Sequence, residues 1–157
     1  GVDCADIILM LIYTGFRIDE LLSLTPFSVD LSSGIITWGM KTDAGRDRAV
    51  PIHSKILPYV KKWLARGGDT LICNPQGKRY TAGNFRNKHY YRALENIGVS
   101  RLPPHSTRHT FASLAFEAKI DTLAVQRIIG HADYSTTANI YTHVDSKYLK
   151  KELEKLN

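Results

Sequence analysis

Cysteine is scarce in this chain. Cys4 and Cys73 are its only two, far apart and in no Cys-x-x-Cys pair, which excludes a zinc ribbon and a disulfide framework and fits a reducing cytoplasm. Long apolar runs are also missing. The stretch from Ile7 to Tyr13 is too short to span a bilayer and follows Asp3 and Asp6 instead of a basic segment, so it is neither a transmembrane helix nor a signal peptide and reads as a buried helix. There is no Gly-x-x-x-x-Gly-Lys-Ser/Thr loop to cradle a nucleotide and no His-Glu-x-x-His zinc pattern. Internal repeats, low-complexity tracts and domain linkers are absent. No initiator Met opens the chain and helical sequence begins almost at once, which reads as a piece of a longer protein.

Acidic residues are outnumbered. Against 21 Lys and Arg stand 15 Asp and Glu, for a formal net charge of +6, and that excess favours a polyanionic partner because neutralising phosphates releases condensed counterions. With 43% hydrophobic and 23% charged residues, the composition is that of a folded globular domain. A chain of 157 residues is the size of one domain, burying roughly 70% of the surface its unfolded form exposes.

Periodicity and punctuation predict one mainly helical domain with a small antiparallel sheet. A first helix runs from Asp3 to Tyr13 and closes at Gly15. The next begins at Arg17 and stops before Pro26. Ile35 to Met40 and Arg48 to Ile52 are β-leaning runs that predict a hairpin with Lys41 and Arg46 on or near its turn. Ser54 to Arg66 carries Ile56, Leu57, Val60 and Leu64 at helical spacing. Leu71 to Cys73 is expected to add a short third strand, and a helix follows from Thr81 to Ile97. Pro103-Pro104 stiffens the approach to a helix beginning near His105, with Phe111, Leu114 and Ala115 on one face. Asp121 to Ile129 and Ser135 to Tyr141 are two further helices capped by their first residues. A last amphipathic segment, Ser146 to Leu156, aligns Leu149, Leu153 and Leu156.

Several polar residues are candidates for chemistry. Arg17 and Arg108 are distant in sequence, yet both lie at predicted helix starts, where backbone N–H groups also favour anions. Two guanidiniums can grip the non-bridging oxygens of one phosphodiester, and such preorganised donors are typically worth ~3 to 4 kcal/mol each to a transition state. Tyr141 is a candidate nucleophile, but a phenol of pKa near ~10 is only about 0.1% ionised at neutral pH and needs a base beside it. His105 and His131 could each take that proton or donate to a phosphate oxygen, according to tautomer. His105 and His109 stand at i and i+4, a zinc-like spacing. Position 106 is Ser, however, and no acidic cluster supplies further ligands, so no metal site is assigned. Glu20, three residues after Arg17, could orient an arginine or be an ordinary helix-start carboxylate. Basic and aromatic residues interleave from Lys78 to Arg92; Arg79, Arg86 and Lys88 there, with Arg46 and Arg48 near the hairpin, are candidate phosphate contacts.

Thr14-Gly15-Phe16-Arg17, His105-Ser106-Thr107-Arg108-His109, Ile129-Gly130-His131, Thr136-Thr137 and Tyr141-Thr142-His143 together resemble the motifs of the tyrosine recombinase (phage integrase) family, over nearly the whole chain. The resemblance implies a catalytic domain in which Tyr141 attacks DNA to form a 3′ phosphotyrosine, Arg17 and Arg108 hold the phosphate, His105 is the general base, and His131 donates a hydrogen bond. It makes Lys41 the general acid that protonates the departing 5′ oxygen. The bond energy kept in the phosphotyrosine lets strands rejoin without nucleotide, metal or other cofactor. By the same resemblance the partner is double-stranded DNA bound as a homo-tetramer, and a separate N-terminal DNA-binding domain precedes this region in the longer protein; the C-terminal segment, which in the family commonly docks on a neighbouring subunit, can do so here through Leu149, Leu153 and Leu156 or fold back onto its own core. Thr107 departs from the apolar residue the family often has before the second arginine, which predicts weaker packing there. Two other functions fit parts of the pattern: DNA relaxation of the type IB topoisomerase kind, and a DNA-binding module that keeps the fold without cutting.

Overall fold

The computed structural model describes residues 4–39, 48–130 and 145–157. Lys41 and Arg46 at the hairpin turn, the helix expected from Ser135, and His131, Tyr141 and His143 lie outside the described residues.

Helix α1 (Ala5–Thr14) is apolar almost all round, and Ile7, Met10 and Leu11 are fully buried. That pattern makes it the central rod of the core. It ends where Gly15 takes φ 72° and returns its N–H to the Leu11 carbonyl, as the sequence predicts. Helix α2 (Ile18–Ser23) follows with Arg17 as its N-cap.

The sheet has three antiparallel strands in the order β1 (Val29–Asp30), β2 (Ile35–Trp38), β3 (Arg48–Pro51), with Ile36 opposite Val50 and Trp38 opposite Arg48. The expected hairpin pair is β2 and β3. The third strand is Val29–Asp30 and not Leu71–Cys73, which is a correction to the reading from sequence. Leu71, Ile72 and Cys73 are buried as their apolarity requires, but Leu71 donates its N–H to the Leu24 carbonyl and Cys73 makes only an isolated bridge with Arg79.

Helix α3 (Leu57–Leu64) is shorter than the predicted span. Its Trp63, fully buried, donates to the Asp6 carboxylate at 3.0 Å and so ties α3 to α1. The next helix is continuous but mixed: α4 (Ala82–Phe85), capped by Thr81 as its sequence requires, passes through a π-helical stretch (Arg86–Tyr90) into α5 (Tyr91–Asn96). Helix α6 (Ser106–Glu117) buries Phe111 and Ala115 against α1. Helix α7 (Thr122–Ile129) is capped by Asp121 Oδ1 and closed by Gly130 at φ 72°.

The last helix (Ser146–Leu153) and the turn after it lie on this chain's own core. Leu149, Leu153 and Leu156 are buried, Tyr13 donates its hydroxyl to the Asn157 carbonyl, and His53 Nε2 meets the Leu156 carbonyl at 2.5 Å. His53 Nδ1 accepts from the Lys55 N–H, so the proton belongs on Nε2. The amphipathic face read from the sequence is real; in the single chain it is satisfied in cis. No described helix is long and apolar enough to cross a membrane.

Candidate active site

Arg17 is exposed at the start of α2, in the extended conformation that an N-cap residue takes (φ −72°, ψ 155°). Its N–H donates to Glu20 Oε1 at 2.9 Å. The carboxylate three residues on therefore satisfies an orphan donor of the helix and fixes the backbone from which Arg17 projects.

Arg108 comes to the same place from α6. It lies in the first turn, is 8% exposed, and donates from Nη2 to the Ile129 carbonyl at 3.4 Å at the end of α7. Its Nη1 stands 3.7 Å from Glu20 Oε1. That separation is an ion pair without a hydrogen bond. The sequence-distant arginines thus converge on one buried carboxylate, Arg17 through its backbone and Arg108 through its charge. Thr107, expected to loosen packing here, is buried and donates its hydroxyl to the Pro104 carbonyl at 2.7 Å. A satisfied hydroxyl packs without penalty, so the turn before Arg108 is anchored.

Arg48 is placed differently from the surface phosphate contact expected of it. Its side chain is 10% exposed and forks onto Glu20, Nη1 to Oε2 and Nη2 to Oε1, both at 3.1 Å. The guanidinium lies 5.0 Å from the Phe16 ring centroid and 5.3 Å from that of Trp38. On its remaining side is Gly130, where an added Cβ would collide with the Arg48 Cδ and approach its guanidinium. Strand alternation carried the signal: Arg48 shares a face with Val50, which is fully buried.

Arg17, Arg48 and Arg108 with one carboxylate leave an excess of positive charge. Burial lowers the pKa of Arg48 and of Arg108; for Arg108 the Arg17 charge acts in the same direction, while Glu20 opposes it for both. Guanidiniums stay charged regardless. Burial is the larger cause in both cases, and the neighbouring guanidiniums add to it.

His105 occupies the N-cap of α6, exposed, one turn before Arg108, with its ring edge-to-face on His109 at 5.0 Å. Desolvation and then the charges of Arg108, His109 and Arg17 push its pKa below the ordinary histidine value. A neutral imidazole beside the cations is suited to accept a proton. Among the described residues no three His, Cys, Asp or Glu side chains group as a metal site would require.

The other basic candidates lie apart from this cluster. Arg79, Arg86 and Lys88 are exposed, and Lys88 lines an open hollow of about 680 Å³ with His89, Tyr91, Arg92, Glu95 and Arg101. Arg101 lies 4.1 Å over the Tyr91 ring. Helix α4, which leads into this basic segment, packs against α2.

Fold and site together define a class: a mainly helical domain with a small sheet, in which arginines distant in sequence converge on one buried carboxylate. Within that class the comparisons are specific. The profile described as "Phage integrase family" matches residues 3–147. The tyrosine recombinase XerA of Pyrococcus furiosus is 34% identical over 156 residues, covering 96% of this chain and 54% of its own. A crystal structure of XerA recombinase superposes with a TM-score of 0.69 at 26% identity, covering 95% of this chain and 56% of that one. XerH site-specific recombinase bound to difH substrate, in a pre-cleavage complex, gives a TM-score of 0.66 at 30% identity over 88% of this chain and 42% of that one. The chain belongs to the phage integrase family of tyrosine recombinases. It spans about half the length of the curated relatives it matches.

Proposed function

We propose that this chain is the catalytic domain of a site-specific DNA recombinase, which cleaves and rejoins strands of double-stranded DNA through a 3′ phosphotyrosine at Tyr141. Arg17 and Arg108 clamp the scissile phosphate, His105 takes the phenol proton, His131 donates to a phosphate oxygen, and Lys41 protonates the 5′ oxygen as it leaves. The phosphorus–oxygen bond to the 5′ side breaks as the bond to the tyrosine oxygen forms, and strand joining runs the same steps in reverse. One observation carries this reading: Arg17 and Arg108, widely separated in sequence, meet at Glu20 with positive charge in excess. The relative XerH, solved on its difH substrate, supports duplex DNA as the partner. A tetramer on DNA would bring two pairs of sites together for strand exchange. Passing the C-terminal helix to a neighbour would require Leu149, Leu153 and Leu156 to leave the faces they now cover.

The test is a pool of nicked duplexes with randomised sequence, incubated with the protein in EDTA. Loss of the short strand beyond the nick traps the covalent intermediate. Trapping by the unaltered protein and none by Tyr141→Phe, with binding retained, is the expected result. Binding without any trapping would make this a DNA-binding module and overturn the proposal.

A further inference from the structure

Glu20 is the only carboxylate near the paired arginines among the described contacts, and Arg48 occupies both of its oxygens. Arg108 Nη1, by contrast, is buried, stands 3.7 Å from Glu20 and has no hydrogen-bond partner among the described residues. We propose that Arg48 is a positioning residue for strand transfer: it holds Glu20 so that Arg108 keeps an open guanidinium edge for the phosphate. This inference rests on the function proposed above.

Three features support a role exerted through Glu20 and not on DNA. The Arg48 side chain is walled in by Phe16, Trp38 and Gly130 and is nearly as buried as Glu20. Its planar fork matches the carboxylate in two bonds, a geometry lysine cannot reproduce. It also sits at a junction of the chain: β3 starts at Arg48, directly after the segment containing Lys41, and Gly130 directly precedes His131. One side chain therefore ties the strand leaving the hairpin to the end of α7 and to the N-terminal turn of α2.

Removing Arg48 would leave a buried carboxylate whose nearest remaining guanidinium is Arg108. An uncompensated buried charge seeks the closest partner, so Glu20 would close on Arg108 and compete with phosphate for the same N–H groups. The consequence is a particular sign of coupling. Arg48→Met should harm the site, and Glu20→Gln added to it should relieve the harm.

The experiment measures inorganic phosphate affinity from the Arg108 side-chain ¹⁵N resonance in the unaltered chain, Arg48→Met, Glu20→Gln and the double variant. Cleavage of whichever duplex the randomised pool yields is followed in parallel. Arg48→Met is expected to weaken phosphate binding at least fivefold and cleavage by ten- to a hundredfold, with duplex affinity and its salt slope unchanged. The double variant is expected to regain most of the phosphate affinity. Unchanged phosphate binding in Arg48→Met, or a double variant no better than Arg48→Met, overturns the proposal. A salt slope lowered by about one unit also overturns it, because that marks a direct phosphate contact. Arg48→Lys, which keeps the charge without the fork, replaces Arg48→Met if the latter does not fold, with a smaller loss and the same relief by Glu20→Gln. If phosphate binding behaves as expected while the unaltered protein traps no duplex, the proposed function fails and the role of Arg48 in the anion pocket stands.

Discussion

Gly130→Ala tests whether Arg48 is held where the structure puts it. Two separate costs are expected. Gly130 has φ +72°, and an L-residue there costs roughly 1 to 2 kcal/mol. The new Cβ would also overlap the Arg48 Cδ, forcing the guanidinium off Glu20, and disturbing a buried ion pair by removing one partner costs about 3 kcal/mol or more. The total of ~4 to 5 kcal/mol corresponds to a fall in Tm of about 10 to 15 °C for a domain of this size. Gly98→Ala is the internal control: its φ is +75°, with nothing within 4 Å of the added Cβ, so only the backbone cost of ~1 to 2 kcal/mol applies. Both variants are compared by thermal unfolding monitored by circular dichroism. If the two lose equal stability, Arg48 is not packed against Gly130 and the account of the site's architecture is wrong.

Two further outcomes follow from the titrating groups. Because burial and the neighbouring cations lower the His105 pKa, its base form persists to lower pH than that of an ordinary histidine, so the acid limb of the cleavage rate should fall below pH ~6.5 and vanish in His105→Gln; a limb above that value in the unaltered protein contradicts the assignment. The Glu152 carboxylate is held below its ordinary value: burial acts to raise it, but the Asp121 N–H and Lys155 outweigh that. A lowered folded-state pKa gives stability that is present above the unfolded value and lost as pH falls through the folded one. Amide exchange over residues 146–153 should therefore accelerate in acid before that of α1 does, and Glu152→Gln should remove the difference.

The sequence was most legible where pattern and punctuation coincide. Helix α1 announces itself by a solid apolar run closed by Gly15, and α7 by Asp121 at one end and Gly130 at the other. β1 was not legible, because a strand of two residues has no period. Leu71 to Cys73 misled for a physical reason: an apolar triplet between turn residues states that a segment is buried, not which neighbour takes its hydrogen bonds. Arg17, His105 and Arg108 are candidates because of their motifs, and Glu20 because of its capping position; the fold brings Arg17, Arg108 and Glu20 together. For Arg48 two signals conflicted: strand alternation put it on the buried face of Val50, but its charge favoured the surface, and only its partners Glu20, Phe16 and Gly130, all remote in sequence, make an inward guanidinium tolerable. The same remoteness hid why Gly130 is needed beside His131: the fold leaves no room for a side chain there.

The central claim is that the paired arginines hold one phosphodiester for attack by the Tyr141 oxygen. Digesting the trapped complex with protease and nuclease and sequencing the modified peptide by tandem mass spectrometry tests it most directly. The account predicts a nucleotide 3′-phosphate linked to Tyr141, lost in Arg17→Ala and Arg108→Ala; a link at another residue, or a yield unaffected by removing both arginines, would contradict it.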